Sequence, residues 1–320
     1  MSEHRRFKPG NGKKVGIIGA PLGFGAGIIG SDLGTSALRN TEIRGMRILE
    51  HLETLGYEVN DHGDAEISVP ARVAPENENP RYFEEFYRSS ISISNAVIAV
   101  LESGEIPVIL GGDHSIAAGS FSGISKFFRD KDEEVGLIWF DAHADMNTPE
   151  TSPSGNTHGM PLSTILGMGD EKLVGLGGFS PKVKREFVAH VGARDLDFGE
   201  KELIYSMGLR DQFFTMSDID RFGMRRCVEG AIEIASRAPG GFAVTFDVDA
   251  IDPRFAPGSG TLVRGGITYR EAHLALETIH ETGQMRSFEI VEVNPILDEG
   301  NVTAMLACEL ILSAFGNVVL

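Results

Sequence analysis

The chain has 320 residues and a formal net charge of -17, long enough for one large domain or two ordinary ones with a substantial buried core. The acidic balance opposes binding to nucleic acid or to an anionic membrane; it suits a soluble protein and favours the approach of a cationic small molecule. Only two cysteines occur, Cys227 and Cys308, both in stretches that read as helix. They exclude a disulfide framework, and no stretch approaches the roughly 18 uninterrupted apolar residues of a membrane span, so a cytoplasmic location is expected.

In chain order, residues 1–13 read as a flexible polar tail and 14–320 as a single domain. Residues 14–20, KVGIIGA, read as a buried parallel strand that opens onto a Gly-rich loop, PLGFGAGIIGSDLG. That loop has neither the dinucleotide spacing nor the GK[ST] ending of a phosphate cradle. It is expected to supply glycine conformations at the rim of a site. Thr35 and Ser36 cap a predicted helix running to about residue 55, and a short strand follows at 57–59. Residues 61–82 are polar, with PENENP as a surface loop. The pattern turns helical over 84–101 and stops at Gly104. A strand over 106–110 leads into GGDHS, and a helix over 116–128 precedes an apolar run at 135–140. Further strands are expected at 187–191, 213–216, 243–246 and 288–291. Among the later helices, 269–282 is signalled by a Thr268–Glu271 capping box and stopped by Gly283, and an apolar helix covers 302–315. Strand alternating with helix throughout predicts one open parallel sheet covered on both faces.

The chemistry gathers where the strands end. The apolar run 135–140 changes abruptly to Asp141, His143 and Asp145, and a continuing strand would carry all three to one face by its period of two. A second run, 241–246, ends in Asp247 and Asp249, and GGDHS contributes His114. Carboxylates gathered in one place repel each other and resist burial unless cations neutralise them. In a parallel sheet these strand ends share one crevice. Six ligands exceed what one small ion needs. They suit a pair of divalent ions, with oxygen-rich, thiolate-free ligation favouring manganese over zinc. Two such ions lower the pKa of a water between them, which makes hydrolysis the expected reaction class. A lone Asp-x-Asp is more often a calcium or surface site, and a lone DxHxD can be structural; their occurrence with GGDHS in one chain favours a catalytic centre. His158 follows the loop MNTPETSPSGNTHGM at 146–160 and reads either as polar surface or as a proton shuttle. Glu292 reads equally as a salt-bridge partner or as a carboxylate facing a cationic substrate.

GGDHS at 111–115, DAHAD at 141–145, SPSGNTHGMP at 152–161, FDVDAIDP at 246–253 and EVNP at 292–295 together resemble the ureohydrolase superfamily, and within it the arginase family. The resemblance runs from about residue 14 to 315. It implies a three-layer αβα fold with a central parallel sheet of about eight strands and two Mn2+ ions per chain. One ion would be held by His114, Asp141, Asp145 and Asp247, the other by His143, Asp141, Asp247 and Asp249, with Asp141 and Asp247 shared. It further implies attack of a bridging hydroxide on the guanidinium carbon of L-arginine, giving L-ornithine and urea. Asp145 would assist proton transfer, His158 would shuttle protons and Glu292 would face the guanidinium. Asn147 and Ser154 would read the α-carboxylate and Asp197 the α-amino group, with Asn156 in the same loop and Thr261 at a pocket position. The implied partner is a small guanidino compound, in a homotrimer or homohexamer. Competing expectations are agmatinase, guanidinobutyrase or formimidoylglutamase chemistry, or a non-catalytic metal-dependent homologue; the last would lack a ligand or the shuttle histidine, and this chain lacks neither. Ala144, Ala193 and Ala250 depart from the family's usual Thr, Leu and Gly, and none of them is a ligand. The stretch 167–184 is longer and more Gly-rich than expected and is predicted to reshape the rim.

Overall fold

The computed structural model describes residues 9–75 and 78–318. Most of the expected tail, residues 1–8, and residues 76 and 77 of the PENENP loop lie outside the described residues. The first half of the chain contains β1 (Lys14–Ala20), α1 (Gly34–Asn40), α2 (Ile48–Thr54), β2 (Glu58–Asp64), α3 (Phe83–Glu102), β3 (Ile106–Gly111), α4 (Ile116–Arg129) and β4 (Gly136–Phe140). The second half contains α5 (Pro161–Ile165), α6 (Glu171–Val174), β5 (Val188–Val191), α7 (Phe198–Ser206), β6 (Phe213–Phe214), α8 (Met216–Phe222), α9 (Met224–Ala235), β7 (Phe242–Asp247), α10 (Tyr269–Glu281), β8 (Met285–Val291) and α11 (Val302–Ala314). Among the described residues, no helix is long and apolar enough to cross a membrane.

The strands form one sheet in the order β2-β1-β3-β8-β7-β4-β5-β6, with every neighbouring pair parallel. Parallel strands buried on both faces read as near-continuous apolar runs, which is why these segments are legible in the sequence. Their alternating side chains feed two cores. Val15, Ile17, Val108, Leu110, Ile138, Phe140, Val244 and Phe246 pack with α1, α2 and α8 to α11. Ile18, Ile109, Leu137, Trp139, Ala243 and Val291 pack with α3 to α7 on the opposite face. The result is the expected three-layer αβα architecture.

Three boundaries differ from expectation. The helix predicted from Thr35 to about 55 is two helices, because Arg44 and Gly45 both take positive φ in a turn closed by Ile43 and Met46. β6 stops at Phe214, since Thr215 leaves the strand to cap α8, accepting from the Asp218 amide. β2 continues through Asp64, so the short strand expected at 57–59 extends into the polar stretch and forms an edge strand.

Candidate active site

The four central strands, β3, β8, β7 and β4, end on one edge of the sheet and each delivers part of the cleft. GGDHS after β3 turns directly into α4 and buries His114; Asp141 follows β4, Asp247 ends β7 and Glu292 follows β8. His114 Nδ1 lies 3.1 Å from Asp141 Oδ2, 3.2 Å from Asp145 Oδ2 and 3.3 Å from Asp247 Oδ2. His143 Nδ1 lies 3.3 Å from Asp141 Oδ1 and 3.1 Å from Asp249 Oδ2. One oxygen of Asp141 therefore faces each imidazole. Asp247 differs: one oxygen faces His114, while the other accepts the Asp249 amide at 2.7 Å.

The period-two expectation for DAHAD is right about convergence and wrong about its cause. The strand ends at Phe140, and Asp141 Oδ1 accepts the His143 amide at 2.7 Å, a tight side-chain turn that swings the imidazole inward. Asp247 uses the same device on Asp249. Asp145 arrives through a left-handed backbone, φ 53°, and Glu292 has φ 64°. Strained non-glycine residues persist only where their surroundings over-determine them, and here both project into the cleft.

The electrostatics demand positive charge. Burial opposes ionisation of His114 and His143, but the carboxylates around them outweigh it and raise both pKa values. Burial, reinforced by the charge on Asp141, raises Asp145 to about 7, and burial with Asp249 and Asp141 raises Asp247. The buried His114 Nδ1 has no hydrogen-bond partner although three carboxylate oxygens surround it. Two donors each about 2.1 Å from a shared ion and at right angles lie about 3 Å apart, so the spacing and chemistry of this set fit a divalent cation. His114, Asp141 and Asp145 form one metal-competent group, and Asp141, His143 and Asp249 a second that shares Asp141.

Beside the cluster opens a cleft of about 210 Å3 whose lining includes Asn147, Ser154, Asn156, His158, Asp197, Thr261 and Glu292. Asn147 Nδ2 donates to Asp197 Oδ2 at 2.7 Å, while Asp197 Oδ1 caps α7 by accepting the Glu200 amide at 2.9 Å. Thr261 donates to Asp249 Oδ2 at 2.9 Å, which ties this pocket position to the cluster. Glu292 Oε1 accepts the His114 amide at 2.9 Å and lies 3.3 Å from His158 Nδ1. Burial disfavours charge on His158, but Glu292, Asp145 and Asp113 prevail and raise its pKa to about 9. No residue of 167–184 lines the cleft, contrary to the expected change at the rim. That stretch folds back on itself, with the Lys182 ammonium donating to the carbonyls of Val174, Leu176 and Phe179.

Several site residues escape sequence reasoning. Asp113 accepts the amides of Gly25, at 2.8 Å, and Ala26, at 3.1 Å, and so ties the Gly-rich loop to the cluster. Gly25 is required there by close approach: a Cβ would fall 2.6 Å from Thr157 Oγ1 and 2.7 Å from Asp113 Oδ1. Trp139 Nε1 donates to Asp141 Oδ2 at 3.0 Å. A signal for it exists, since it stands two residues before Asp141 on the same strand face. Thr245 and Glu289, polar residues inside otherwise apolar strands, carry the same kind of signal. Asp195 and Glu200 also line the cleft, on either side of Asp197.

An all-parallel αβα sheet with a buried carboxylate–imidazole cluster at its carboxyl edge defines a class, the α/β proteins with a metal-competent centre at their strand ends. Comparison with known proteins narrows it. The model of the Arginase family matches residues 13–316. The arginase of Brevibacillus brevis is 43% identical over 308 residues, 96% of this chain and 99% of that one. The native structure of the Bacillus caldovelox arginase superposes with a TM-score of 0.89 at 43% identity, covering 96% of this chain and all of the other. The Entamoeba histolytica arginase in complex with L-ornithine gives a TM-score of 0.85 at 30% identity, with 96% and 99% coverage. The chain belongs to the arginase family and is a hydrolase of that family.

Proposed function

We propose that the protein hydrolyses L-arginine to L-ornithine and urea with two Mn2+ ions per chain. The observation that carries the reading is the layout of the cleft. Its lining combines the carboxylate–imidazole cluster and Glu292 with Asn147, Ser154, Asn156 and Asp197. A guanidinium finds carboxylates there, and an α-amino acid end finds amide, hydroxyl and carboxylate groups in the same cleft. That ornithine is the molecule held by the Entamoeba histolytica arginase supports the amino acid assignment.

In this reading His114, Asp141, Asp145 and Asp247 hold one ion, and His143, Asp141, Asp247 and Asp249 the other; the placement of Asp141 between the two imidazoles supports its shared role. A bound pair of divalent ions supplies a water-derived nucleophile at neutral pH. Glu292 orients the guanidinium over the cluster, and Asp145 takes and delivers a proton at the leaving amine. His158, beside Glu292 at the mouth of the cleft, exchanges that proton with solvent. Asn147 and Ser154 donate to the α-carboxylate with Asn156 beside them, Asp197 accepts from the α-ammonium, and Thr261 steadies Asp249. Family membership supports residues 14–320 acting as one domain, a cytoplasmic location and a homotrimer or homohexamer, which sedimentation tests.

The discriminating experiment is urea release from L-arginine, agmatine and other guanidino compounds with added manganese. Agmatine lacks the carboxylate and would forgo the charge-assisted hydrogen bonds from Asn147 and Ser154, about 1.5 to 3 kcal/mol each. Arginine is therefore expected to be preferred by at least about a hundredfold in kcat/KM. Comparable constants would refute arginine as the substrate and leave another ureohydrolase reaction in its place.

A further inference from the structure

The loop 146–160 between β4 and α5 supplies Asn147, Ser154, Asn156 and His158 to the cleft, and its parts are held in different ways. Asn147 is fixed from the body of the protein: its Nδ2 donates to Asp197, and its carbonyl accepts from Ser163 Oγ at 2.6 Å. His158 is held by its amide, which donates to the Gly25 carbonyl at 3.2 Å. Between these anchors, internal bonds shape the turns of 148–156. The Gly155 amide donates to Ser152 Oγ at 3.0 Å and the Asn156 amide to Ser154 Oγ at 3.2 Å. Such bonds fix local curvature, and they do not fix where the stretch sits relative to the cleft.

Among the described residues, two hydrogen bonds tie 148–156 to residues outside the loop, and both come from one short segment. Asn79 Nδ2 donates to the Pro149 carbonyl at 2.6 Å, and the Arg81 amide donates to the Gly155 carbonyl at 2.8 Å. Gly155 lies against the same segment. It takes a left-handed backbone, φ 70°, and a Cβ there would fall 3.1 Å from the Glu78 carbonyl oxygen and 3.3 Å from the Asn79 side chain. The segment is itself braced. Arg72 grips Glu78 through both Nη atoms, Glu78 Oε1 accepts the Tyr82 amide at 2.8 Å, and the Tyr82 hydroxyl accepts the Ala74 amide at 3.1 Å. The Tyr82 ring packs edge-on against Phe24, centroids 5.7 Å apart, and the chain passes directly from Tyr82 into α3. Residues 78–82, part of a stretch that reads as polar loop in the sequence, are thus a rooted arm that reaches across to the cleft loop.

We infer that the arm 78–82, through the Asn79 side chain and the Arg81 amide, sets Ser154 and Asn156 in place and so determines how strongly the cleft discriminates for the carboxylate end of its substrate. The inference rests on the arginine reading above. No residue of the arm lines the cleft, so Asn79 is a positioning residue that acts through 149–155. A turn pinned at Pro149 and at Gly155 has few conformations left. The cost of ordering it is met when the protein folds, and substrate binding is spared that cost. Asn147 and the carboxylate–imidazole cluster have anchors of their own. Releasing the arm should therefore loosen recognition of the amino acid end and leave the guanidinium end as it is.

The test compares L-arginine with agmatine in the full chain with added manganese, for two variants that attack the contact from its two sides. Asn79→Ala removes the donor at an exposed position, where the fold is not at stake. Gly155→Ala sets a side chain on a left-handed backbone and against Glu78. Each is expected to raise the KM for arginine about tenfold, with kcat and manganese content unchanged. Agmatine, followed as substrate or as competitive inhibitor, has no carboxylate to lose and is expected to behave as with the unmutated protein. The preference for arginine then narrows by the same factor. An arginine KM unaltered in either variant, or a loss that falls on kcat or equally on agmatine, would overturn the role of the arm and leave the arginine reading intact. An unmutated protein that does not distinguish arginine from agmatine would overturn that reading itself.

Discussion

Asp61-His62-Gly63-Asp64 at the end of β2 and Asp141-Ala142-His143-Ala144-Asp145 at the end of β4 use nearly the same residue types on the same sheet, and they have opposite fates. At the end of β2 both aspartates have a cation within reach. Arg39 grips Asp61 through Nε at 3.0 Å and Nη2 at 3.1 Å and also pairs with Asp64, while His62 Nε2 meets Glu105 Oε2 at 2.6 Å. After β4 no Lys or Arg is paired with the acids among the described residues, and Asp141 and Asp145 are buried. An acidic motif becomes a metal-competent centre when burial amplifies its repulsion and the protein withholds its own cations. The same motif on a solvated edge with an arginine is a surface ion-pair cluster.

The contrast is broken most severely by Asp141→Asn. Removing the carboxylate that faces both imidazoles is expected to abolish tight manganese binding and to lower urea release by on the order of 10³-fold or more. Metal analysis alongside activity checks this, and a variant that retains two ions and full turnover would contradict the shared role of Asp141.

His158→Ala is expected to slow turnover by roughly 10²- to 10⁴-fold while metal content stays the same, since His158 stands beside the cluster and not in it. Unchanged turnover near neutral pH would remove His158 from the mechanism.

A further histidine sharpens the point that surroundings decide sign. His273, on α10 and bonded through Nδ1 to Ser313 at 2.7 Å, has no carboxylate hydrogen-bonded to it among the described residues; burial, aided by the charge of Arg270, lowers its pKa to about 4 from an ordinary 6.5. Its folded pKa lies below its unfolded one, so on acidification the unfolded chain takes up the proton first. The associated stability is complete above about pH 6.5 and is lost as pH falls toward 4, about 2 kcal/mol of it by pH 5. Urea unfolding of the metal-free protein at pH 7.5 and pH 5 measures this. His273→Asn should flatten the difference, and an unaltered slope would assign the acid sensitivity elsewhere.

The smallest effect is expected at the edge. Asp61→Asn should change stability by no more than about 1 kcal/mol and leave manganese binding and activity as they are, because its ion pair with Arg39 is partly solvated. A loss of metal from this variant would dissolve the distinction between the two motifs.

Much of this protein can be read before any fold is known. Buried parallel strands are apolar over most of their length, so β1, β3, β4, β7 and β8 announce themselves, and the abrupt acids and imidazoles that end three of them name the six candidate ligands. Family motifs add His158, Glu292 and the cleft residues Asn147, Ser154, Asn156, Asp197 and Thr261. Tertiary structure alone decides the rest. That Asp61 and Asp64 are harmless depends on Arg39, more than twenty residues away, and that the early helix breaks depends on left-handed backbone at Arg44 and Gly45. Thr245 and Glu289 meet because β7 and β8 are neighbours in one particular register, although 44 residues separate them along the chain. Local composition dictates which segments are strands and which residues have chemistry to offer. Whether a charge is neutralised, orphaned or aimed depends on which strand lies next to which, and that is set by the packing of the whole sheet.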